Sequence, residues 1–343
     1  MKILVTGATG YIGHKLALEA AARNYIVHIL VRDINSKYIP LHPNIKTFEG
    51  DITNRESVLA AMKGCDQVLH AAALAKMWDK DSSIFYKVNV EGTRNVLKAA
   101  LELGIKKLVF TSTGAVIGPS DNFPMSESDP RITAFENDYE ISKYWAEELV
   151  KEYGHRGLFT VIVTAPRVYG PGINSGGNVV EKLLRKILSM KMAFSPAFDH
   201  VLANYAFVDD VVNGHFLALE KGLGGEKYIL GGENISYHTF FSTIKQNAGK
   251  KIMLVKVPKP LLITWSLIHM LVCRMAGKHT NVSPKIIYRI SQNRALSCDK
   301  AIRQLGYSIT PFTLGIQKTI LHLSQRNAAK ESFETLEQNK IYA

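Results

Sequence analysis

Tyr139 and Lys143 lie four residues apart in Asp138-Tyr139-Glu140-Ile141-Ser142-Lys143, at the start of a stretch rich in Ala, Glu and Leu. On a helix that spacing puts both side chains on one face. A tyrosine titrates near pH 10, too high for proton transfer at neutral pH, and a neighbouring ammonium lowers that value by favouring the phenolate. A shift of ~3 units is worth ~4 kcal/mol, so the pair must be sheltered from solvent. Alone, YxxxK reads equally well as a surface pair. Thr111-Ser112-Thr113-Gly114 adds hydroxyls at the end of a β-branched run, the carboxyl edge where open α/β sheets bind ligands.

Thr6-Gly7-Ala8-Thr9-Gly10-Tyr11-Ile12-Gly13 sits between a predicted strand and a predicted helix. In GxxGxxG one glycine permits a sharp turn, another lets backbone N–H groups approach a pyrophosphate, and a third lets helix and strand pack closely. The helix N-terminus then favours the phosphates. The competing reading is a mere tight turn. At the end of the second strand, Leu30-Val31-Arg32-Asp33, an acidic residue would bond the ribose of NAD. Arg32 stands there instead and suits the 2′-phosphate of NADP, with Lys37 as a second cation. NADP(H) is therefore the expected cofactor, with NAD(H) open if Asp33 turns to the ribose. No GxxxxGK[ST], GxSxG, HxxxH or HExxH occurs. A mononucleotide P-loop, a serine hydrolase and a metal site, including one built on His269 or His279, are not expected.

Strand and helix signals alternate around these groups. Strands are expected at Lys2–Thr6, Ile26–Val31, Ile45–Glu49, Gln67–His70, Lys107–Thr111, Phe159–Thr164 and Lys227–Leu230. Helices are expected at Tyr11–Arg23, Arg55–Lys63, Ser82–Leu103, Tyr139–Tyr153 and Val179–Leu188. Such alternation with nearly continuous apolar strands means a parallel sheet covered on both faces. After Pro166, Gly170-Pro171-Gly172 and Ser175-Gly176-Gly177 signal loops. Phe207–Glu220 reads as a strand end entering a helix, with Asp209 or Asp210 as its N-cap. The expected fold is α/β, a doubly wound parallel-sheet Rossmann domain (1–170 and about 199–232). A smaller, mostly helical C-terminal substrate lobe (about 171–198 and 233–325) and a frayed tail (326–343) complete it.

The 343 residues are 46% hydrophobic and 21% charged, which excludes a disordered chain or a disulfide-stapled miniprotein. Cys65, Cys273 and Cys298 lack metal-finger spacing and fit packed thiols in a reducing compartment. The MKILVTG start leaves no room for a signal-peptide core, so a cytoplasmic location is expected. Residues 1–150 carry 17 Lys and Arg against 18 Asp and Glu, whereas 245–303 carry 12 against one, Asp299. That basic lobe reads as a solvated face, as a contact with an anionic membrane, or as a site for an acidic substrate. No aromatic-interleaved stripe or nucleic-acid motif accompanies it. Within it, Pro260–Gly277 is apolar but interrupted by His269 and Arg274, too short for a span. It suits a buried helix first, and otherwise a helix in a bilayer interface or an apolar substrate mouth.

The ordered set TGATGYIG, Gly50-Asp51-Ile52, His70-Ala71-Ala72-Ala73, VNVEGT, Thr113, Tyr139, Lys143, RVYGP from Arg167 and FVDD from Phe207 resembles the extended short-chain dehydrogenase/reductases. These are also called the NAD-dependent epimerase/dehydratase family, and the resemblance covers about residues 1–325. It implies that Asp51 and Ile52 meet the adenine end and that Ala71, Ala72 and Ala73 line the cofactor. Thr9, Tyr11, Ile12, Thr111, Pro166 and Val168 would also line it, with Asn89 near the active site. By the same resemblance Thr113 polarises a substrate oxygen and Tyr139 is the acid–base group assisted by Lys143. Val31-Arg32-Asp33 and LSCDKAIRQLGYSITP are similar to the dihydroflavonol 4-reductase and 3-beta-hydroxysteroid dehydrogenase branches. Sugar-nucleotide epimerases carry an arginine shortly before the VDD landmark, and Ala203–Phe207 has none. The expected activity is NADP(H)-linked reduction of a ketone or aldehyde of a lipophilic small molecule, or the reverse oxidation. The alternatives are a nucleotide-sugar epimerase or dehydratase that recycles its cofactor, and a non-catalytic cofactor sensor. A small-molecule substrate is the expected partner, a homodimer is left open, and nucleic acid is not expected.

Overall fold

The computed structural model describes residues 1–173, 178–276, 280 and 282–341, with side chains through Arg326. The seven expected strands form one parallel sheet. They are β1 (Lys2–Thr6), β2 (Ile26–Val31), β3 (Ile45–Glu49), β4 (Gln67–His70), β5 (Lys107–Thr113) and β6 (Thr160–Ala165), with β10 (Lys227–Ile229) at the edge. Their order is β10-β6-β5-β4-β1-β2-β3. The order reverses between β1 and β4, where a crevice opens beyond the carboxyl ends.

Both faces of the sheet are apolar, and alternate residues choose the face. Ile3, Val5, Val27, Ile29, Val109, Val161 and Val163 pack on one side with the Tyr11–Ala22 and Val208–Lys221 helices. Leu4, Leu30, Val68, Leu108, Phe110 and Ile162 pack on the other with the Arg55–Met62, Gly92–Glu102 and Asp138–His155 helices. A one-residue slip of any of these strands would swap two sets of equally apolar side chains. Here burial alone does not set register; the short βα turns do.

Three expectations change. The helix expected over Ser82–Leu103 runs from Ser83 to Glu102 but widens into a π-helical turn at Tyr86–Glu91, the kind of widening that tends to mark functional sites. It carries Asn89. Neither Asp209 nor Asp210 caps the next helix, whose N-cap is Phe207 without a side-chain bond. Asp210 instead accepts from the backbone and hydroxyl of Thr310, at 2.6 and 2.7 Å, and Asp209 pairs with Lys15 at 2.6 Å. The smaller lobe is mainly helical but also holds strands that were not expected. β7 (Arg167–Tyr169), β9 (Leu202–Phe207) and β11 (Glu233–Ser236) form one small sheet, and β8 (Met192–Pro196) pairs with β12 (Met253–Val257) in another. These strands are short and hold Arg, Pro, Asn or Lys, so apolar alternation hides them. An aromatic core of Tyr169, Tyr205, Phe207, Phe240 and Phe312 joins the lobe together.

The final helix spans Phe312–Ile341 and includes the backbone of the stretch expected to fray. Ser175–Gly177, Gly277 and His279 lie outside the described residues. The Lys259–Met275 helix contradicts the buried-helix expectation: only Ser266 is buried. The three cysteines are free thiols.

Candidate active site

The first βα turn needs its glycines for stated reasons. Gly7 has φ +76°, and a Cβ there would lie 2.7 Å from the Ala72 nitrogen. A Cβ on Gly13 would lie 2.2 Å from the Gly7 oxygen. Gly10 caps the Tyr11–Ala22 helix without a side-chain bond, so the first-turn N–H groups keep their capacity for an anion. The backbone cradle therefore fits a pyrophosphate. Gly13→Ala is expected to cost ~1–3 kcal/mol of stability through this overlap. It should also weaken dinucleotide binding at least about tenfold, read by cofactor titration beside a melting curve; unchanged affinity would contradict the assignment.

A cavity of about 540 Å³ runs from this turn along the carboxyl edge. It brings together Gly7, Thr9, Gly10, Tyr11, Ile12, Gly13, Arg32, Asp51, Ile52, Ala71, Ala72, Ala73, Thr111, Thr113, Tyr139, Lys143, Pro166 and Val168. Two expected residues do not line it. Lys37 is exposed, with its ammonium 5.4 Å from the centre of the Tyr38 ring. Asn89 is buried: its Oδ1 accepts from Leu74 N at 2.7 Å and its Nδ2 donates to Ser142 Oγ at 2.9 Å. It ties the chain after β4 to the helix of Tyr139 and Lys143, a positioning task. Leu74, Lys76, Ile84 and Val88 line the cavity without having been expected. Leu74 and Lys76 follow a strand end with no motif of their own, Ile84 lies on the next helix, and Val88 opens the VNVEGT stretch, where the resemblance points only to Asn89.

At the far end of β2, Arg32 is exposed and faces the cavity. Asp33 turns back, accepting from Asn35 N at 2.8 Å. Asp51 lines the cavity while its Oδ1 holds Thr53 N at 2.8 Å. Tyr11 crosses to the opposite wall and donates to the Gly170 carbonyl at 2.9 Å.

At the other end, Thr113, Tyr139 and Lys143 share the cavity wall. Burial raises the phenol above its ordinary value; Thr113 and the Arg289 guanidinium pull it back, and Glu140 opposes them. The expected lowering by Lys143 is absent from this balance. It is Lys143 whose titration moves: burial pushes it down to about 7, against the pull of Glu147. Its Nζ donates to the Thr111 carbonyl at 2.8 Å and lies 4.1 Å from the Phe110 ring centre. Desolvation thus outweighs the pair's mutual effect, and Tyr139 holds its proton at neutral pH. His70 is fully buried between Thr6 Oγ1, at 2.7 Å, and Thr93 Oγ1, at 3.0 Å. Burial holds it neutral, down to about 3.

A charged cluster beside Tyr139 escaped the sequence reading. Glu140 is fully buried and accepts from Arg131 at 2.7 Å and from Arg289. Glu136 binds Arg289 and, at 2.8 Å, Arg294. Arg289 and Arg294 lie about 150 positions along the chain from the glutamates, so only folding brings them together. Buried charges this close must be paired to be tolerated, and the cluster fastens the Pro284–Ile290 helix to the catalytic helix.

A doubly wound sheet, a glycine cradle and a sheltered Thr/Tyr/Lys set define a dinucleotide-dependent oxidoreductase. The model of the NAD dependent epimerase/dehydratase family matches residues 3–231, and the chain belongs to that family, the extended short-chain dehydrogenase/reductases. It is 29% identical over 311 residues to a Synechocystis sp. protein carrying a dihydroflavonol 4-reductase name, covering 88% of each chain. It is 26% identical over 324 residues to a 3-beta-hydroxysteroid dehydrogenase of Mycolicibacterium neoaurum, covering 89% of this chain and 86% of that one. The crystal structure of gox2253 superposes with a TM-score of 0.79 at 31% identity, over 95% of this chain and 98% of that chain.

Proposed function

We propose that the protein reduces a ketone or aldehyde of a lipophilic small molecule with NADP(H), or runs the reverse oxidation. The observation that carries this reading is the convergence of Thr113, Tyr139 and Lys143 on the cavity that begins at the glycine turn. Bound NADPH supplies the hydride that reduces the carbonyl carbon. Thr113 and Tyr139 hold the carbonyl oxygen between two hydroxyls, and Tyr139 Oη donates its proton to that oxygen as charge develops there. Lys143 lies one helical turn on and would orient the nicotinamide ribose. Two relatives whose names denote a dihydroflavonol reductase and a hydroxysteroid dehydrogenase support an apolar carbonyl or alcohol substrate. The absence of an arginine in Ala203–Phe207 favours such a substrate over a sugar diphosphate. The test is turnover by the purified protein with NADPH across apolar ketones, aldehydes and UDP-sugars.

The NADP preference rests on Arg32 facing the cavity while Asp33 turns away. A charge-assisted phosphate contact is worth ~1.5–3 kcal/mol, so Arg32→Ala is expected to weaken NADPH binding about 10- to 100-fold and leave NADH unchanged. Parallel titrations check this; tighter NADH binding by the wild type would contradict it.

A further inference from the structure

The Lys259–Met275 helix is attached to the protein by its less apolar side. At about 100° per residue, Leu261, Trp265, Ile268, Leu271, Val272 and Met275 fall within an arc of about 120°. All six are exposed, from 52% for Trp265 to 81% for Met275. Ser266, the helix's one buried residue, points nearly opposite, flanked by the half-buried Leu262, His269 and Cys273. A soluble amphipathic helix does the reverse, burying its apolar stripe and presenting polar residues. An exposed apolar patch rimmed by charge marks an interaction surface.

The chain on both sides of the helix is basic: residues 245–303 carry 12 Lys and Arg against one Asp. Lys250, Lys251, Arg274 and Lys285 are exposed and have no carboxylate within ion-pairing distance among the described residues, while Lys256 is engaged by Asp199 at 2.6 Å. Two copies meeting through this face would bring like charges together, because a two-fold interface apposes the same patch on both partners. An anionic bilayer offers the matching environment for both features: hydrocarbon for the stripe and lipid phosphates for the cations. Trp265 suits the headgroup level, where indole rings concentrate. Among the described residues no helix is long and apolar enough to cross a membrane, so the contact lies in the surface plane.

We propose that the Lys259–Met275 helix lies in the headgroup interface of an anionic membrane. Its Leu261–Met275 stripe is immersed, and Lys250, Lys251, Arg274 and Lys285 rest on lipid phosphates. The same helix packs on Pro284–Ile290, whose Arg289 reaches the glutamates on either side of Tyr139. The bound surface therefore lies one helix away from the active-site wall.

The test is co-sedimentation of the full chain with phosphatidylcholine vesicles, with and without phosphatidylglycerol, at low and high salt. The wild type is expected to bind the anionic vesicles at low salt, with Trp emission shifted to the blue, and to be released by high salt. Replacing Lys250 and Lys251 with Ser is expected to weaken that binding on the order of tenfold or more. Ile268→Glu with Leu271→Glu is expected to abolish it. All four positions are exposed, and melting curves with cofactor titration verify that the variants fold. Three outcomes would overturn the proposal: no binding to anionic vesicles at low salt, unchanged binding by the glutamate variant, or a lipid-free dimer that the glutamates split. No turnover is required, so the result is separate from the reading of the catalytic site.

Discussion

Tyr139→Phe is expected to lower turnover about 10²–10⁴-fold while leaving NADPH affinity within about twofold, because general acid catalysis contributes on that scale. The phenyl ring preserves the packing at the carboxyl edge, and only the Oη is lost. The pH profile carries a second signature. The phenol sits above its ordinary value, so the fall in reduction that belongs to the phenol comes only in alkali, separate from any change near pH 7 as Lys143 loses its proton. Oxidation, which needs the phenolate, rises in the same range. A Tyr139→Phe variant with near-normal turnover would assign the proton to another group.

Lys143→Met is expected to harm both parameters: turnover falls at least about 10²-fold and cofactor affinity falls about tenfold or more as a charge-assisted contact is lost. It also has a stability signature with a definite sign. An unfolded lysine holds its proton up to about 10.5, whereas buried Lys143 releases it near 7. Between those values the unfolded chain binds more protons, so wild-type stability gains as pH rises, and the cost of the buried ammonium is full below the window. The methionine variant escapes that cost. Its Tm relative to the wild type should therefore be higher at about pH 6 than at about pH 9. A difference independent of pH would show that Lys143 is not buried as a cation.

The catalytic constellation was legible because each of its parts is local. A glycine turn, a strand-end hydroxyl and a four-residue helical spacing each announce themselves within ten positions, and parallel βα topology delivers all three to one edge. The seven main strands were legible for a related reason: Ile29–Val31 or Val161–Val163 has no polar face to confuse the period. What the sequence hid was set by distant partners. Glu136 and Glu140 look like surface residues of a helix start until Arg131, Arg289 and Arg294 close over them. Asn89 was singled out by the resemblance alone, and the π-helical turn that aims it at Ser142 has no residue signature. The Lys259–Met275 run was apolar enough to suggest core. Apolarity does not tell which side of a helix meets the protein, and here it is the Ser266 side.

The central claim is that Tyr139 protonates a carbonyl oxygen while NADPH is consumed. The most direct measurement is simultaneous quantification of NADPH loss and alcohol formation from an apolar ketone by the wild type and by Tyr139→Phe. The predicted result is one alcohol formed per NADPH oxidised by the wild type, with both signals lost together in the variant. Conversion of a UDP-sugar without net NADPH loss, alongside inertness toward every ketone and aldehyde, would contradict it.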